Sequence, residues 1–152
     1  MESGPTENSP VRPRCPDEMT VRRAGHSIIR SPAGISTVPF WAEVLLESEV
    51  EGENTVMQAS LEPGVVTNWH THPRGQFLYV LSGVGCAQRD GGPIVELRAG
   101  DCVWFAPGER HWHGAGPNST LCYISIQAVH DGVAVSWHEP VTLGSACGTA
   151  HS

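Results

Sequence analysis

The chain has 152 residues, a net charge of −7 and 16% charged residues, and it is rich in glycine (17) and proline (12). This length fits one domain, and the glycine and proline content favours short strands and turns over long helices. No apolar run is long enough for a membrane-spanning helix. All nine basic residues are arginine, which excludes Schiff-base and pyridoxal-phosphate chemistry on a lysine, and their scatter argues against a nucleic-acid partner.

The chain divides into a polar arm at residues 1–24, a folded domain at residues 25–142 and a tail at residues 143–152. The arm and the tail show no periodicity and are predicted to be flexible. Within the domain, turn signals separate short apolar or alternating runs at intervals of roughly 8–12 residues, which predicts about ten strands in an antiparallel sandwich or barrel. These runs are 26–30, 38–46, 55–61, 66–72, 77–81, 85–89, 94–97, 102–105, 111–114, 121–128 and 133–138.

The five cysteines are an odd number and include no CxxC pair. The first ten residues lack the basic and apolar regions of a secretory signal. We therefore predict reduced, mostly buried thiols in a cytoplasmic protein.

Four of the eight histidines lie in two tight clusters, His70 with His72 and His111 with His113. Residues two apart on a strand share a face, so each pair projects to one side. If both strands line one barrel, the four imidazoles converge, and imidazole suits zinc, copper, iron and nickel. A single HxH pair on a strand is more often a surface or core accident, so the surrounding spacing decides between these interpretations.

That spacing is G-x5-H-x-H-x3-Q-x6-G between Gly64 and Gly83, followed by a second motif from Gly100 to His111. The two motifs closely resemble those of the cupins. The resemblance implies an all-β fold, a single-domain cupin with an antiparallel jelly-roll β-barrel. It implies one divalent metal ion held by His70, His72, Gln76 and His111. This chain departs from the pattern at Gln76, where the family carries a glutamate, at Pro107, which is displaced by one position, and at Ala115, which replaces an asparagine.

The strings WHTHPRGQ and GDCVWFAPGERHWHGAGP resemble more narrowly the small bacterial cupins that include manganese-dependent hydroxynitrile lyases. The resemblance implies a metal-dependent lyase that cleaves or forms cyanohydrins, or acts on another small hydroxylated or carbonyl compound. Manganese is the expected metal, with iron, zinc and nickel as alternatives. Gln76 is neutral, so we expect weaker metal binding and a stronger Lewis acid than with a glutamate ligand. Two other functions stay open, an iron or manganese dioxygenase and a non-catalytic module that binds a small ligand.

The same resemblance assigns roles around the metal. Tyr123 stands where the lyases carry a histidine thought to act as the base, and a tyrosine with an ordinary pKa near 10 is a poorer base at neutral pH. His113 is the other acid–base candidate, with an orienting role as its alternative. We also expect a homodimer or homotetramer formed through edge strands, and a small-molecule substrate. The predicted catalytic residues are His113, Tyr123 and Gln127, and the predicted pocket residues are Met57, Ala59, Ser125 and Trp112.

Overall fold

The computed structural model describes residues 11–142 and Cys147. This part of the chain contains strands and no helix, so no helix there could cross a membrane. Ten strands follow one another in the order β1 (Ile28–Arg30), β2 (Trp41–Leu46), β3 (Asn54–Leu61), β4 (His70–Thr71), β5 (Gln76–Arg89), β6 (Val95–Arg98), β7 (Cys102–Phe105), β8 (His111–Ala115), β9 (Leu121–Ala128) and β10 (Ser136–Trp137).

The strands form a curled antiparallel sheet in the order β1-β2-β3-β9-β5-β8-β4-β10, with β6 and β7 paired to β5 as well. The first half of β5 pairs with β7 and β9, and its second half pairs with β6 and β8. This single strand therefore joins the two faces of the barrel. The predicted all-β fold with an antiparallel barrel is confirmed.

β5 differs from the sequence prediction, which placed separate strands at 77–81 and 85–89 with a turn at Ser82-Gly83. The structure instead has one strand of 14 residues with an irregular register between Val80 and Ser82. Gly83 has φ +87°, and a Cβ on it would overlap the carbonyl oxygen of Thr120. Gly83 therefore lies at a bend inside a strand, where the backbone of Thr120 comes close to it. A glycine in a strand pattern can indicate such a bend as well as a turn.

The inward side chains of β9 show how the barrel is divided. Gln127 and Ser125 line a cavity, Tyr123 lies where this cavity meets the apolar core, and Leu121 lies within the core. The inward side chains of β3 are divided in the same way: Met57 lies at the cavity, and Ala59 and Leu61 lie in the core. One end of the barrel is therefore filled by packed apolar side chains, and the other end is left hollow. The core side chains are Phe40, Ala42, Ala59, Leu61, Val65, Leu78, Val80, Ala87, Leu97, Phe105, Ala115, Leu121 and Tyr123.

Two predicted runs contain little regular pairing. Only His70–Thr71 of the run 66–72 and Ser136–Trp137 of the run 133–138 are strands. Residues 11–24 of the arm are irregular, yet the Cys15 amide donates a hydrogen bond to a Glu53 carboxylate oxygen at 2.8 Å. Residues 1–10 and all of 143–152 except Cys147 lie outside the described residues, so the flexibility of both ends stays a prediction.

A disulfide between Cys86 and Cys147 corrects the prediction that the thiols are reduced. Their Cα atoms lie 5.6 Å apart, although 61 residues separate the two cysteines in the sequence. Both cysteines are buried. Cys15, Cys102 and Cys122 are free thiols. Two of the five cysteines therefore form a disulfide. Neither a CxxC motif nor a short spacing in the sequence indicated this pair.

The bend at Gly83 supports a first prediction. Gly83→Ala should destabilise the protein by at least about 2 kcal/mol more than Gly91→Ala, since the added methyl group meets backbone that cannot rotate away. Gly91 is the matched control because it also has a positive φ of 78° but has open space where a Cβ would lie. Urea unfolding of the two variants measures the difference, and equal losses would show that the backbone at Thr120 yields.

Candidate metal centre and cavity

The histidines of both clusters meet inside the barrel. His70 on β4 pairs directly with His111 on β8, and His72 follows β4 by one residue. The ring centroid of His70 lies 4.3 Å from that of His111 and 5.1 Å from that of His72. All three side chains are buried, as is His113. Alternation along two neighbouring strands therefore brings four imidazoles to one place.

Three of these rings are held by backbone carbonyl groups through Nδ1. His70 Nδ1 lies 2.8 Å from the Asn68 carbonyl oxygen, and His111 Nδ1 lies 2.8 Å from that of Glu109. His72 Nδ1 lies 2.7 Å from the carbonyl oxygen of Ala134. A carbonyl oxygen only accepts hydrogen bonds, so each Nδ1 carries the proton and each Nε2 keeps a lone pair. This is the arrangement that orients histidines as metal ligands.

The Gln76 amide completes the set. Its Nε2 donates to Gln127 Oε1 at 3.0 Å, and Gln127 Nε2 in turn donates to Thr55 Oγ1 at 2.7 Å. This chain of hydrogen bonds points Gln76 Oε1 to His111 Nε2, 3.2 Å away. Two lone pairs therefore face each other in a buried place, where a cation would satisfy both. Among the described residues His72 Nε2 has no hydrogen-bond partner either. His70, His72, His111 and Gln76 thus fit a divalent metal ion.

His113 differs from the other three histidines. Neither of its ring nitrogens has a hydrogen-bond partner within the described part of the chain. Distance alone groups it with His70 and His111, whose ligand atoms all lie within 4.8 Å of one another. The hydrogen bonds instead single out His70, His72 and His111, because a backbone carbonyl group fixes the direction of the Nε2 lone pair in each of these rings. The His113 ring instead meets the edge of the Tyr123 ring, with centroids 5.0 Å apart.

Burial keeps the histidines neutral. It lowers the pKa of His72 to about 4 and that of His111 to about 3, from an ordinary value of 6.5. The pKa values of His70 and His113 are also well below 6.5, mainly because water is excluded from the charged form and then because neighbouring histidines repel it. Neutral rings with free lone pairs suit metal binding.

A cavity of about 360 Å³ opens beside these residues. Its polar part includes the predicted residues His70, His72, Gln76, His113, Tyr123, Ser125 and Gln127, together with Thr55 and Thr67. Its apolar wall consists of Ile29, Phe40, Val44, Leu46, Val56, Met57, Ala134, Val135 and Trp137. No arginine is present among these lining residues, and Glu47 is the only carboxylate. The site therefore combines a polar part that can bind a metal with an apolar wall. The cavity between them is large enough for a small organic molecule.

Two predicted pocket residues lie elsewhere. Trp112 is fully buried on the opposite side of β8, in a second apolar cluster with Val66, Cys86, Val141 and Cys147. The alternation that points His111 and His113 inward necessarily points Trp112 outward. Ala59 does face inward, but it lies in the apolar core rather than at the cavity.

Several residues of the site were not predicted from the sequence. Thr55 shares the inward face of β3 with Met57, so the alternation could have identified it. The Ala134 carbonyl group and the Trp137 ring, whose centroid lies 4.6 Å from that of His70, come from the predicted run 133–138, to which no site residue was assigned. No sequence signal marks a backbone carbonyl as a partner for a histidine 62 residues away.

Comparison with known proteins identifies the family of this fold. The family described as Cupin domain matches residues 57–126. A crystal structure of a cupin-like protein from Thermotoga maritima MSB8 superposes with a TM-score of 0.71 and 31% identity, covering 87% of this chain and 98% of that one. The chain belongs to the cupins.

Two further proteins resemble this chain over part or all of their length. An (R)-mandelonitrile lyase from Granulicella tundricola is 54% identical over 83 residues, which cover 55% of this chain and 63% of that lyase. The match thus spans less than two thirds of the relative. A structure described as a predicted oxalate decarboxylase from Thermotoga maritima is 23% identical with a TM-score of 0.63, covering 74% of this chain and 100% of that one, and shows the shared fold.

The hydrogen bonds predict which histidines bind the metal. His72→Ala should weaken Mn²⁺ binding by more than the roughly 10–100-fold loss typical of outer partners, whereas His113→Ala should change it by less than about tenfold. Calorimetric titration of the chelator-treated proteins measures both constants. A larger loss of Mn²⁺ affinity in His113→Ala than in His72→Ala would assign the metal to His70, His111 and His113.

The lowered pKa values predict how stability changes with pH in the chelator-treated protein. In the unfolded chain these histidines bind protons below about pH 6.5, whereas folded His72 and His111 stay neutral down to about pH 4 and about pH 3. The free energy of unfolding should therefore fall as the pH drops from 7 to 5, by up to about 1.4 kcal/mol per pH unit for each such histidine. Urea unfolding at several pH values measures this dependence. The free energy of unfolding should change less with pH in His72→Gln than in the wild type, and as much as in the wild type in His26→Gln, a control at an exposed position. A flat profile would contradict the predicted neutral state of the buried rings.

Proposed function

We propose that this cupin is a metal-dependent lyase that cleaves or forms cyanohydrins of small, neutral hydroxylated or carbonyl compounds. The observation that carries the proposal is the anchored set of His70, His72, His111 and Gln76 beside a cavity with an apolar wall and no arginine. The (R)-mandelonitrile lyase relative supports this reaction over others open to cupins.

The four ligands would hold one divalent ion, and we propose manganese, with iron, zinc and nickel as alternatives. When bound, such an ion supplies a Lewis acid that lowers the pKa of a hydroxyl group beside it. The ligand set of three neutral rings and one neutral amide leaves the charge of the ion uncompensated. Gln127 contributes by fixing the Gln76 amide, so we assign it a positioning role through that amide.

His113 is the proposed proton carrier. Its ring lines the cavity with both nitrogens unpartnered in the described structure, so one of them can accept the substrate hydroxyl proton. As the C–O bond becomes a carbonyl, the bond to the nitrile carbon breaks and its electron pair leaves with cyanide. The proton then passes from His113 to cyanide, so that an aldehyde and hydrogen cyanide are released and the histidine is neutral again.

Tyr123 has a different proposed role. Burial raises its pKa above the ordinary value of 10, so the phenol keeps its proton at neutral pH. It therefore serves as a hydrogen-bond donor in the cavity rather than as the base. Ser125, which is two residues further along the same inward face, offers a second hydroxyl group.

Electrostatics favour a neutral substrate. A carboxylate substrate in such a cavity would find no arginine, and the Glu47 carboxylate at its lining would repel it. The apolar side chains Phe40, Met57 and Trp137 instead suit an uncharged organic group. This property separates the proposed reaction from reactions on small organic acids.

We also propose that the protein acts as a homodimer or homotetramer in the cytoplasm, with neither nucleic acid nor a membrane as a partner. Cytosolic disulfides are rare and usually transient, so a cytoplasmic location requires that the Cys86–Cys147 bond be reversible there.

Cyanide release from mandelonitrile tests the function. The Mn²⁺-reconstituted protein should release cyanide, and a chelated sample should not. His113→Gln should lower kcat by about 10²–10⁴-fold while metal content is retained, because it removes the proton carrier. His26→Gln, which changes an exposed histidine, is the matched control.

Failure to release cyanide from protein shown to be metal-loaded would overturn the lyase proposal. Oxygen consumption that depends on an added substrate would then favour a dioxygenase, since a lyase consumes no oxygen. Ligand binding by the metal-free protein without turnover would favour a binding module.

A further inference from the structure

One wall of the cavity is built by a segment that we call the strap, residues 130–141. It supplies Ala134, Val135 and Trp137 to the cavity lining. Its Ala134 carbonyl oxygen accepts the hydrogen bond from His72 Nδ1. Trp137 lies against the His70 ring. The strap therefore touches two of the proposed metal ligands directly.

Most of the strap is exposed to solvent. Its only strand, β10, pairs over two residues with β4, and from residue 131 to residue 140 only Ala134 and Val135 are even half-buried. Backbone hydrogen bonds join Trp69 to His138 and to Glu139. A segment with so few buried contacts depends on how its two ends are fixed.

The first end is fixed by Glu51. Its carboxylate accepts hydrogen bonds from the Asp131 amide at 2.8 Å and from Arg74 at 2.6 Å, and it lies 2.7 Å from His130 Nδ1. These polar contacts are exposed to solvent. The turn that begins the strap is thus joined to the loop between His72 and Gln76.

The second end is fixed by the disulfide. Beyond the ion pair of Glu139 with Arg110, Val141 and Cys147 enter the buried cluster around Trp112. Cys86 anchors that cluster from β5, where it pairs with Gly114 of β8. The bond therefore ties the chain just after the strap to β5, the strand that pairs with the one carrying His111 and His113.

We propose that the Cys86–Cys147 disulfide is a redox-controlled clamp that holds the strap, and with it the Ala134 carbonyl group and Trp137, against the metal centre. The proposal goes beyond the lyase function and depends only on the metal centre. Reduction frees the strap end, so His72 loses its fixed partner and the cavity wall loosens. Metal affinity and substrate binding then fall together.

The redox step balances with a dithiol as the reductant. One thiolate of the dithiol attacks a sulfur of the Cys86–Cys147 bond and forms a mixed disulfide, and its second thiol then displaces the protein sulfur. Two electrons and two protons pass to the cysteine pair, which becomes two thiols. The dithiol is oxidised to its own disulfide.

A thiol count establishes the state of the pair. Under denaturing, non-reducing conditions the oxidised protein should show three reactive thiols, those of Cys15, Cys102 and Cys122, and the dithiol-treated protein should show all five. Five thiols in protein exposed to an oxidant would overturn the proposal.

The clamp itself is tested by hydrogen exchange and by Mn²⁺ titration of the oxidised and the dithiol-treated protein. Reduction should speed amide exchange in residues 130–141 and weaken Mn²⁺ binding by about tenfold, the scale of losing an outer partner of a metal ligand. Reoxidation should restore both. Cys147→Ser should behave like the reduced protein in either redox state, and Cys102→Ser, at an exposed free thiol, should behave like the wild type.

Unchanged exchange in the strap and unchanged Mn²⁺ affinity after full reduction would overturn the clamp. If Cys147→Ser does not fold, the reduced and reoxidised wild type carry the test alone. Neither measurement involves cyanohydrin cleavage, so a failure of the clamp and a failure of the lyase proposal are distinguishable.

Discussion

The metal centre depends on one interaction that occurs three times, a hydrogen bond from a histidine Nδ1 to a backbone carbonyl oxygen. Two of these carbonyl groups lie two residues before their histidines, at Asn68 and Glu109, so the local backbone orients the ring. The third comes from Ala134, far along the chain. The first two rings are fixed as soon as β4 and β8 form, whereas the orientation of His72 requires the completed barrel.

The fold could be predicted in outline because alternation and turn residues act locally. The order and number of strands follow from them, and so does the barrel class. The joining of two predicted strands into β5 could not be predicted, because Gly83 makes room for the Thr120 carbonyl group, which only the packed barrel brings there. The disulfide could not be predicted either, since its cysteines are 61 residues apart in the sequence and only the tertiary structure brings them together.

The site shows the same division. Alternation put His70 with His72 and His111 with His113, because side chains two apart on a strand share a face. The choice of His70, His72 and His111 as metal ligands came from the resemblance to the cupins. The same rule argues against Trp112, whose assignment to the pocket came from its aromatic side chain rather than from alternation. The role of Gln127 needed the structure, since its amide acts through Gln76 and is itself fixed by Thr55 on the neighbouring strand β3. Hydrogen bonds between side chains on neighbouring strands depend on the register of those strands. Sequence patterns do not encode the register between strands that are distant in the sequence.

The position of β9 between β3 and β5 has a consequence for how the protein forms. All eight residues of β3 pair with β9, although 59 residues lie between the two strands in the sequence. β5 must also pair with β9 over most of its first half. Closing such loops costs entropy before their contacts stabilise the barrel, so folding is expected to be slow compared with that of helical proteins of similar size. During synthesis the histidines of β4 and β8 emerge from the ribosome before β9, and the chain must remain unaggregated with exposed strand edges until that strand arrives.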